Sequence, residues 1–180
     1  FAHIYHLSGG RDEALAVFRK WRLPKLNESF YKAKTWLIER WPFNGKRAFV
    51  NYYKKKCIEA RKSIRIVTPY FVPQPWLFAS LKKAARRGVR VEVILPAYTD
   101  HFLIQLAHRY ILTSLSPMIN FLMMPTMNHA KVLLVDDDEG LVGSNNIDGQ
   151  SFNLNLEASV VFQRKDMIGD LRVILDDWKK

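Results

Sequence analysis

The stretch SIRIVTPYFVPQPWLFASLKKAARRGVRVEVILP, residues 63–96, decides the fold class. Its opening, Ser63–Phe71, is β-branched and bounded by prolines, which predicts a strand. Gln74–Arg87 follows as a helix, with Leu77, Leu81, Ala84 and Ala85 on one stripe and Gly88 at the left-handed cap position. Val89–Leu95 then alternates apolar and charged residues, a second strand closed by Pro96. Strand–helix–strand order implies a sheet that is at least partly parallel.

Downstream the alternation continues. Asp100 is placed to cap a helix running to about Leu115, and strands are expected at about Ile119–Met124, Ala130–Asp136 and Leu156–Phe162. Asp166–Trp178 closes the chain as a helix with Ile168, Leu171, Ile174, Leu175 and Trp178 inward. The predicted class is α/β: a three-layer α/β/α sandwich with a mixed, partly parallel sheet.

Upstream the texture differs. Helices are expected over Asp12–Trp21, over Asn27–Trp41 (Phe30, Ala33, Leu37 and Trp41 on one face, Pro42 as the stop) and over Ala48–Lys62, with a turn at Phe43–Gly45. Residues 1–50 thus read as a basic, aromatic-rich helical arm ahead of a body at 51–180. Residues 1–62 hold 15 Lys/Arg against 5 Asp/Glu, net +10; residues 63–180 hold 13 against 12, net +1. Trp21, Trp36, Trp41 and the pairs Phe30–Tyr31 and Tyr52–Tyr53 accompany the charge. Two readings stay open: a solvated basic face, or a surface that docks on phosphates or lipid headgroups.

The whole chain of 180 residues carries a formal charge of +11, which points to an anionic partner: nucleic acid, anionic lipid or a phosphorylated substrate. Its balance, 48% hydrophobic and 25% charged, excludes a disordered tail, a collagen-like repeat or a small disulfide scaffold. The single Cys57 excludes an internal disulfide and a cysteine-based zinc site. No stretch approaches the ~20 apolar residues of a bilayer span; the longest, Met118–Pro125, is interrupted by Asn120.

The chemistry sits in HAKVLLVDDDEGLVGSNNIDGQSFNLNLE, residues 129–157. Side chains two apart share a strand face, so His129 and Lys131 project together, and Asn146 can bring an amide to the same spot. An imidazole, an ammonium and an amide at one point describe a phosphate-handling site. Asp136 is an odd seven residues from His129, so a regular strand puts it behind the site. Glu157 can accept the proton of His129 Nδ1 and leave Nε2 free to attack.

The run His129-x-Lys131-x4-Asp136 followed by Gly143-Ser144-x-Asn146 resembles the HKD signature of the phospholipase D superfamily. Pro69–Pro73, Ala84–Pro96 and the Asn145–Glu157 segment further resemble the C-terminal half of bacterial cardiolipin synthases, over about residues 50–180. The resemblance implies one phospholipase D-like half-domain in which His129 attacks phosphorus, forming a phosphohistidine, or protonates the leaving alcohol. It implies that Lys131, Ser144 and Asn146 bind the phosphate, that Glu157 orients the histidine and that Asp136 helps hold the site. It implies a phospholipid substrate, a peripheral seat on the cytoplasmic membrane, and no metal or cofactor.

The chain departs from that pattern in carrying one motif where the superfamily uses two; His3, His6, His101 and His108 lack a Lys two residues later. One imidazole attacks while a second must give a proton to the departing oxygen. The second motif is therefore expected from another half of a longer chain or from a homodimer partner, the longer chain being favoured. Two alternatives remain: a homodimeric single-motif endonuclease acting on nucleic acid, and a non-catalytic membrane-docking half.

Other motifs carry less. Ser144 lacks a GxSxG elbow, which argues for binding over nucleophilic attack. The acidic run Asp136–Glu139 fails the spacing of a calcium loop. His101 and His108 read as exposed or hydrogen-bonded rather than metal-binding, and Met118, Met123, Met124 and Met127 as strand core, with an acyl-chain path as the alternative.

Overall fold

Ser63–Val67 is buried at every residue, the pattern of a central strand rather than an edge, and the sheet grows outward from it on both sides. The computed structural model describes residues 34–41, 47–99, 102–115 and 117–179. In chain order these form β1 (Thr35–Arg40), α1 (Ala48–Glu59), β2 (Ser63–Val67), α2 (Pro75–Arg86), β3 (Arg90–Pro96), α3 (Phe102–Leu115), β4 (Asn120–Met124), β5 (Val132–Val135), β6 (Glu139–Gly143), α4 (Gly149–Asn153), β7 (Glu157–Phe162) and α5 (Lys165–Asp177).

The seven strands lie in the order β1-β7-β6-β5-β2-β3-β4. β2, β3 and β4 are parallel because α2 and α3 carry the chain back between them. β5, β6, β7 and β1 pair antiparallel, so the sheet is mixed, as expected. On one face α1 and α2 bury Phe49, Tyr53, Cys57, Leu77, Leu81 and Ala84 against the strands. On the other, α5 buries Ile168, Leu171 and Leu175 against Val67, Leu134 and Phe162. These are the three layers. Burial pushes the Cys57 thiol up to about 12, so it behaves as a small core residue.

The local signals of α2 work as read: Pro75 stands at its start, and Gly88 follows its end at φ +87°. In α5, Ile168, Leu171 and Leu175 face inward, but Ile174 is 45% exposed and stands outside the expected stripe.

The largest correction is upstream. Within the predicted helix Asn27–Trp41, residues 35–40 are strand β1, paired with β7 from Thr35 opposite Phe162 to Arg40 opposite Glu157. Leu37, expected on the buried helical face, is 52% exposed, while Trp36 and Ile38 pack on the core with a period of two. Residues 27–33, Asp12–Trp21, Phe43–Gly45, Asp100 and His101 lie outside the described residues. β6 and α4 were not anticipated.

Candidate active site

Ligands of open α/β sheets bind outside the carboxyl ends of parallel strands, and here β2, β3 and β4 all end on one edge. β5 runs the other way, with Val132 opposite Val67, so the residues just before it cross that same edge. Those residues are His129 and Lys131. The topology delivers them there.

His129 is exposed and Lys131 is 7% exposed, and they meet as their spacing predicts. Lys131 Nζ lies 2.8 Å from His129 Nδ1 and 3.2 Å from Nε2, and donates to the His129 carbonyl at 2.7 Å. Burial pulls the Lys131 ammonium below its ordinary value, while the charges of Glu157 and Asp148 pull it back up. The imidazole also meets the Tyr70 ring edge-on, with centroids 6.2 Å apart.

The Gly143-Ser144-Asn145-Asn146 segment is brought alongside by β6. Gly143 N–H donates to the Lys131 carbonyl at 3.2 Å, and Ser144 N–H to the Ala158 carbonyl at 3.0 Å. Gly143 is required by space: a Cβ there would overlap the Ser159 hydroxyl and the Ala158 carbonyl. One residue beyond the segment, Ile147 bridges Phe71, and its carbonyl accepts from Val72 N–H at 2.7 Å. The Pro69–Pro73 stretch thereby touches His129 through Tyr70 and the Asn146 loop through Phe71. The Asn146 Oδ1 is buried with no hydrogen-bond partner among the described residues, as are Asn145 Oδ1 and Ser159 Oγ beside it.

Glu157 corrects an expectation. Among the described residues His129 Nδ1 is met by the Lys131 ammonium, not by Glu157. The carboxylate instead accepts from the Ser144 hydroxyl at Oε2 and from the Asn155 amide at Oε1, the latter at 3.3 Å. Ser144 Oγ in turn accepts from Ala158 N–H at 3.1 Å. Glu157 is buried yet remains electrostatically coupled to Lys131.

Asp136 stands apart from the other five. β5 ends at Val135, and Asp136 and Asp137 turn the chain with φ of +56° and +57° into a hairpin closed by Asp138 N–H on the Val135 carbonyl at 2.9 Å. The carboxylate accepts from Arg61 N–H at 2.9 Å, Lys62 N–H at 2.7 Å and Ser63 N–H at 2.9 Å. Burial raises its affinity for a proton, but the three N–H groups and the Lys62 charge outweigh that and hold the carboxyl below its usual range. It lies away from His129, as the parity argument expects, because the chain turns rather than because the strand continues. Glu139, at the end of the acidic run, is structural too: it is buried, accepts from Tyr52 at 2.7 Å and from Gln163 at 2.6 Å, and pairs with Lys56 at 3.0 Å.

Sequence reasoning passed over Tyr70, Asp148 and Asn155. All three sit inside segments already marked by the resemblance, and Asp148 caps α4 by accepting from Ser151 N–H at 2.7 Å. His108 is buried and its Nε2 accepts from Phe71 N–H at 2.9 Å, so it holds the Tyr70 segment, and burial lowers its proton affinity. Met124 packs on the core, whereas Met118, Met123 and Met127 are exposed, against the expectation of strand core. Met123 instead lines a cleft of about 230 Å³ with Ala97, Tyr98, Gln105, His108 and Leu112. Among the described residues no group of three or more His, Cys, Asp or Glu side chains could hold a metal, and no helix is long and apolar enough to cross a membrane.

The family described as "Cardiolipin synthase, PLD-like domain" matches residues 54–178. A protein of Bacillus subtilis named a probable cardiolipin synthase is 35% identical over 134 residues, which are 73% of this chain and 27% of that one. Cardiolipin synthase A of Pseudomonas aeruginosa is 36% identical over 119 residues, 65% of this chain and 24% of the relative. The chain thus spans about a quarter of the length of these relatives. Among solved structures, NucT from Helicobacter pylori superposes with a TM-score of 0.64 at 15% identity, over 80% of this chain and 95% of that one. Phosphatidylserine synthase of Haemophilus influenzae gives 0.65 at 16%, over 81% and 38%. Both share the fold.

Proposed function

Because the chain belongs to the cardiolipin synthase, PLD-like domain family, we propose that it is one half of a phosphodiester-transferring active site working on phospholipids. The observation that carries this reading is the meeting of the exposed His129 imidazole with the buried Lys131 ammonium, 2.8 Å apart at the carboxyl edge of the sheet. His129 attacks phosphorus through an imidazole nitrogen; the P–N bond forms as the P–O bond to the leaving alcohol breaks. Lys131 and Asn146 hold the non-bridging oxygens and absorb their growing charge. Ser144, whose hydroxyl proton now goes to Glu157, is the lesser phosphate contact. Glu157 sets the local field at Lys131 and His129, and Asp136 secures the strand that carries them.

The departing oxygen needs a proton that this motif, busy as nucleophile, does not give. A second histidine motif supplies it, then activates the incoming alcohol or water. The remainder of a longer chain is its expected source, since the matched stretch makes up only about a quarter of the relatives; a second copy of this chain is the other. β1 and α1 belong to the sheet and its helical layer, so the basic arm expected over residues 1–50 does not extend through 35–40 or 48–50. The net +10 of residues 1–62 suits a peripheral seat on anionic lipid.

The test is His129→Ala in the complete protein. Phosphatidyl transfer falls by about 10⁴-fold, and no phosphorylated enzyme is trapped on acid quench. Retained turnover refutes the proposal. A preparation that cleaves DNA and leaves phospholipid untouched, with binding that weakens steeply in salt, replaces it with the nuclease reading.

A further inference from the structure

The Glu157 carboxylate has support from outside the motif. Arg40, at the end of β1, stands directly opposite Glu157 in the antiparallel pair, so the two side chains leave the same face of the sheet. Arg40 is 7% exposed. Its Nε donates to the Phe152 carbonyl at 2.8 Å, and its Nη1 donates to the Asn155 carbonyl. Those carbonyls bracket the turn that leaves α4 and enters β7. Asn155 is also the residue whose amide holds Glu157 Oε1.

Among the described residues no carboxylate pairs with Arg40, so a buried full charge is committed to two main-chain oxygens. Such burial is costly and is poorly explained as a contribution to stability. A rigid guanidinium fork can fix two carbonyls relative to each other, which a flexible ammonium cannot. We propose that Arg40 is a positioning residue for the active site: it locks the 152–155 turn so that Asn155 presents its amide to Glu157. The edge strand, outside the stretch 54–178 that matches the family, thereby controls the site. This rests on the phosphodiester-transfer reading above.

Steady-state transfer by the complete protein tests it. Arg40→Met lowers kcat about 10²-fold with KM unchanged, the scale of a small misplacement at a reacting centre. Arg40→Lys, which reaches one carbonyl, recovers part of the loss. Asn155→Ala acts through the same carboxylate, so the double variant is no slower than the slower single one. A wild-type kcat in Arg40→Met, or losses that multiply in the double variant, overturns the proposal. If Arg40→Met does not fold, the cycle is run with Arg40→Lys, and a wild-type kcat there overturns it equally. His129→Ala run alongside separates the two levels. If it stays active, the functional reading itself fails; if it is dead while the Arg40 variants turn over normally, only the role of Arg40 is lost.

Discussion

Just ahead of β5 the chain presents an exposed imidazole and a buried ammonium that bond chiefly to each other. At the far end of β5, roughly 13 Å of strand away, Asp136 accepts from three successive backbone N–H groups. One sequence motif supplies both ends, and the two handle charge in opposite ways. Among the described residues Asn145 Oδ1, Asn146 Oδ1 and Ser159 Oγ are buried without partners, and so is Asp137 Oδ1 in the turn itself. Around Asp136 each donor of the α1–β2 turn has found its acceptor. A carboxylate has nothing to offer an incoming anion, whereas an ammonium and an amide N–H can donate to one. Under the proposed function the motif therefore divides into a part that reacts and a part that holds.

Lys131→Met strains that contrast hardest. Transfer should fall by about 10³-fold, the effect of removing a preorganised donor to developing charge. The thermal midpoint should hold or rise, because a desolvated ammonium is removed. A marked drop in melting temperature would make Lys131 a structural residue like Asp136 and erase the distinction.

Gly143→Ala strikes the boundary between the two parts. The added methyl collides with Ser159 and Ala158, forcing β6 from β7 just where Ser144 reaches Glu157. Stability measured by urea unfolding should fall by about 2 kcal/mol, and kcat should fall with it. Loss of stability alone would show that the site tolerates movement of β6.

Asp136→Asn probes the holding end and should have the smallest effect. It keeps an acceptor and tolerates the left-handed backbone but loses the charge, for about 1 kcal/mol of stability at neutral pH. The native carboxyl is held below its ordinary range, so the wild type's advantage exists above the unfolded value of about 4 and disappears as pH falls through the native one. Urea unfolding of both proteins across that window reads it directly. A gap that persists into stronger acid would mean that shape, not charge, is what Asp136 provides.

The two edges of the sheet show why some elements were legible and others were not. β2, α2 and β3 carry their signals locally: prolines, a helical stripe, a glycine cap and strict alternation. β1 does not. Six residues, TWLIER, satisfy a helical period and a strand period equally well, and pairing with β7 decides between them. β6 is short and follows an acidic run that reads as loop, so only the hairpin geometry of Asp136 and Asp137 reveals it. For the site, residue spacing brought His129 and Lys131 together correctly, because both lie on one short segment. It misassigned the partner of Glu157, because Ser144 and Asn155 reach that carboxylate through the packing of β6 and α4 on β7.

From its order of residues alone this chain determined an α/β class, the family's histidine–lysine motif and the stretch that bears it. All three are encoded in periodicity and spacing within about thirty residues or fewer. Tertiary structure alone decided which groups are spent and which stay available. It tied Asp136 to a turn more than seventy residues earlier and brought Arg40 across the sheet to the loop before Glu157. Hydrogen-bond saturation is set by neighbours in space, and sequence distance carries no record of it.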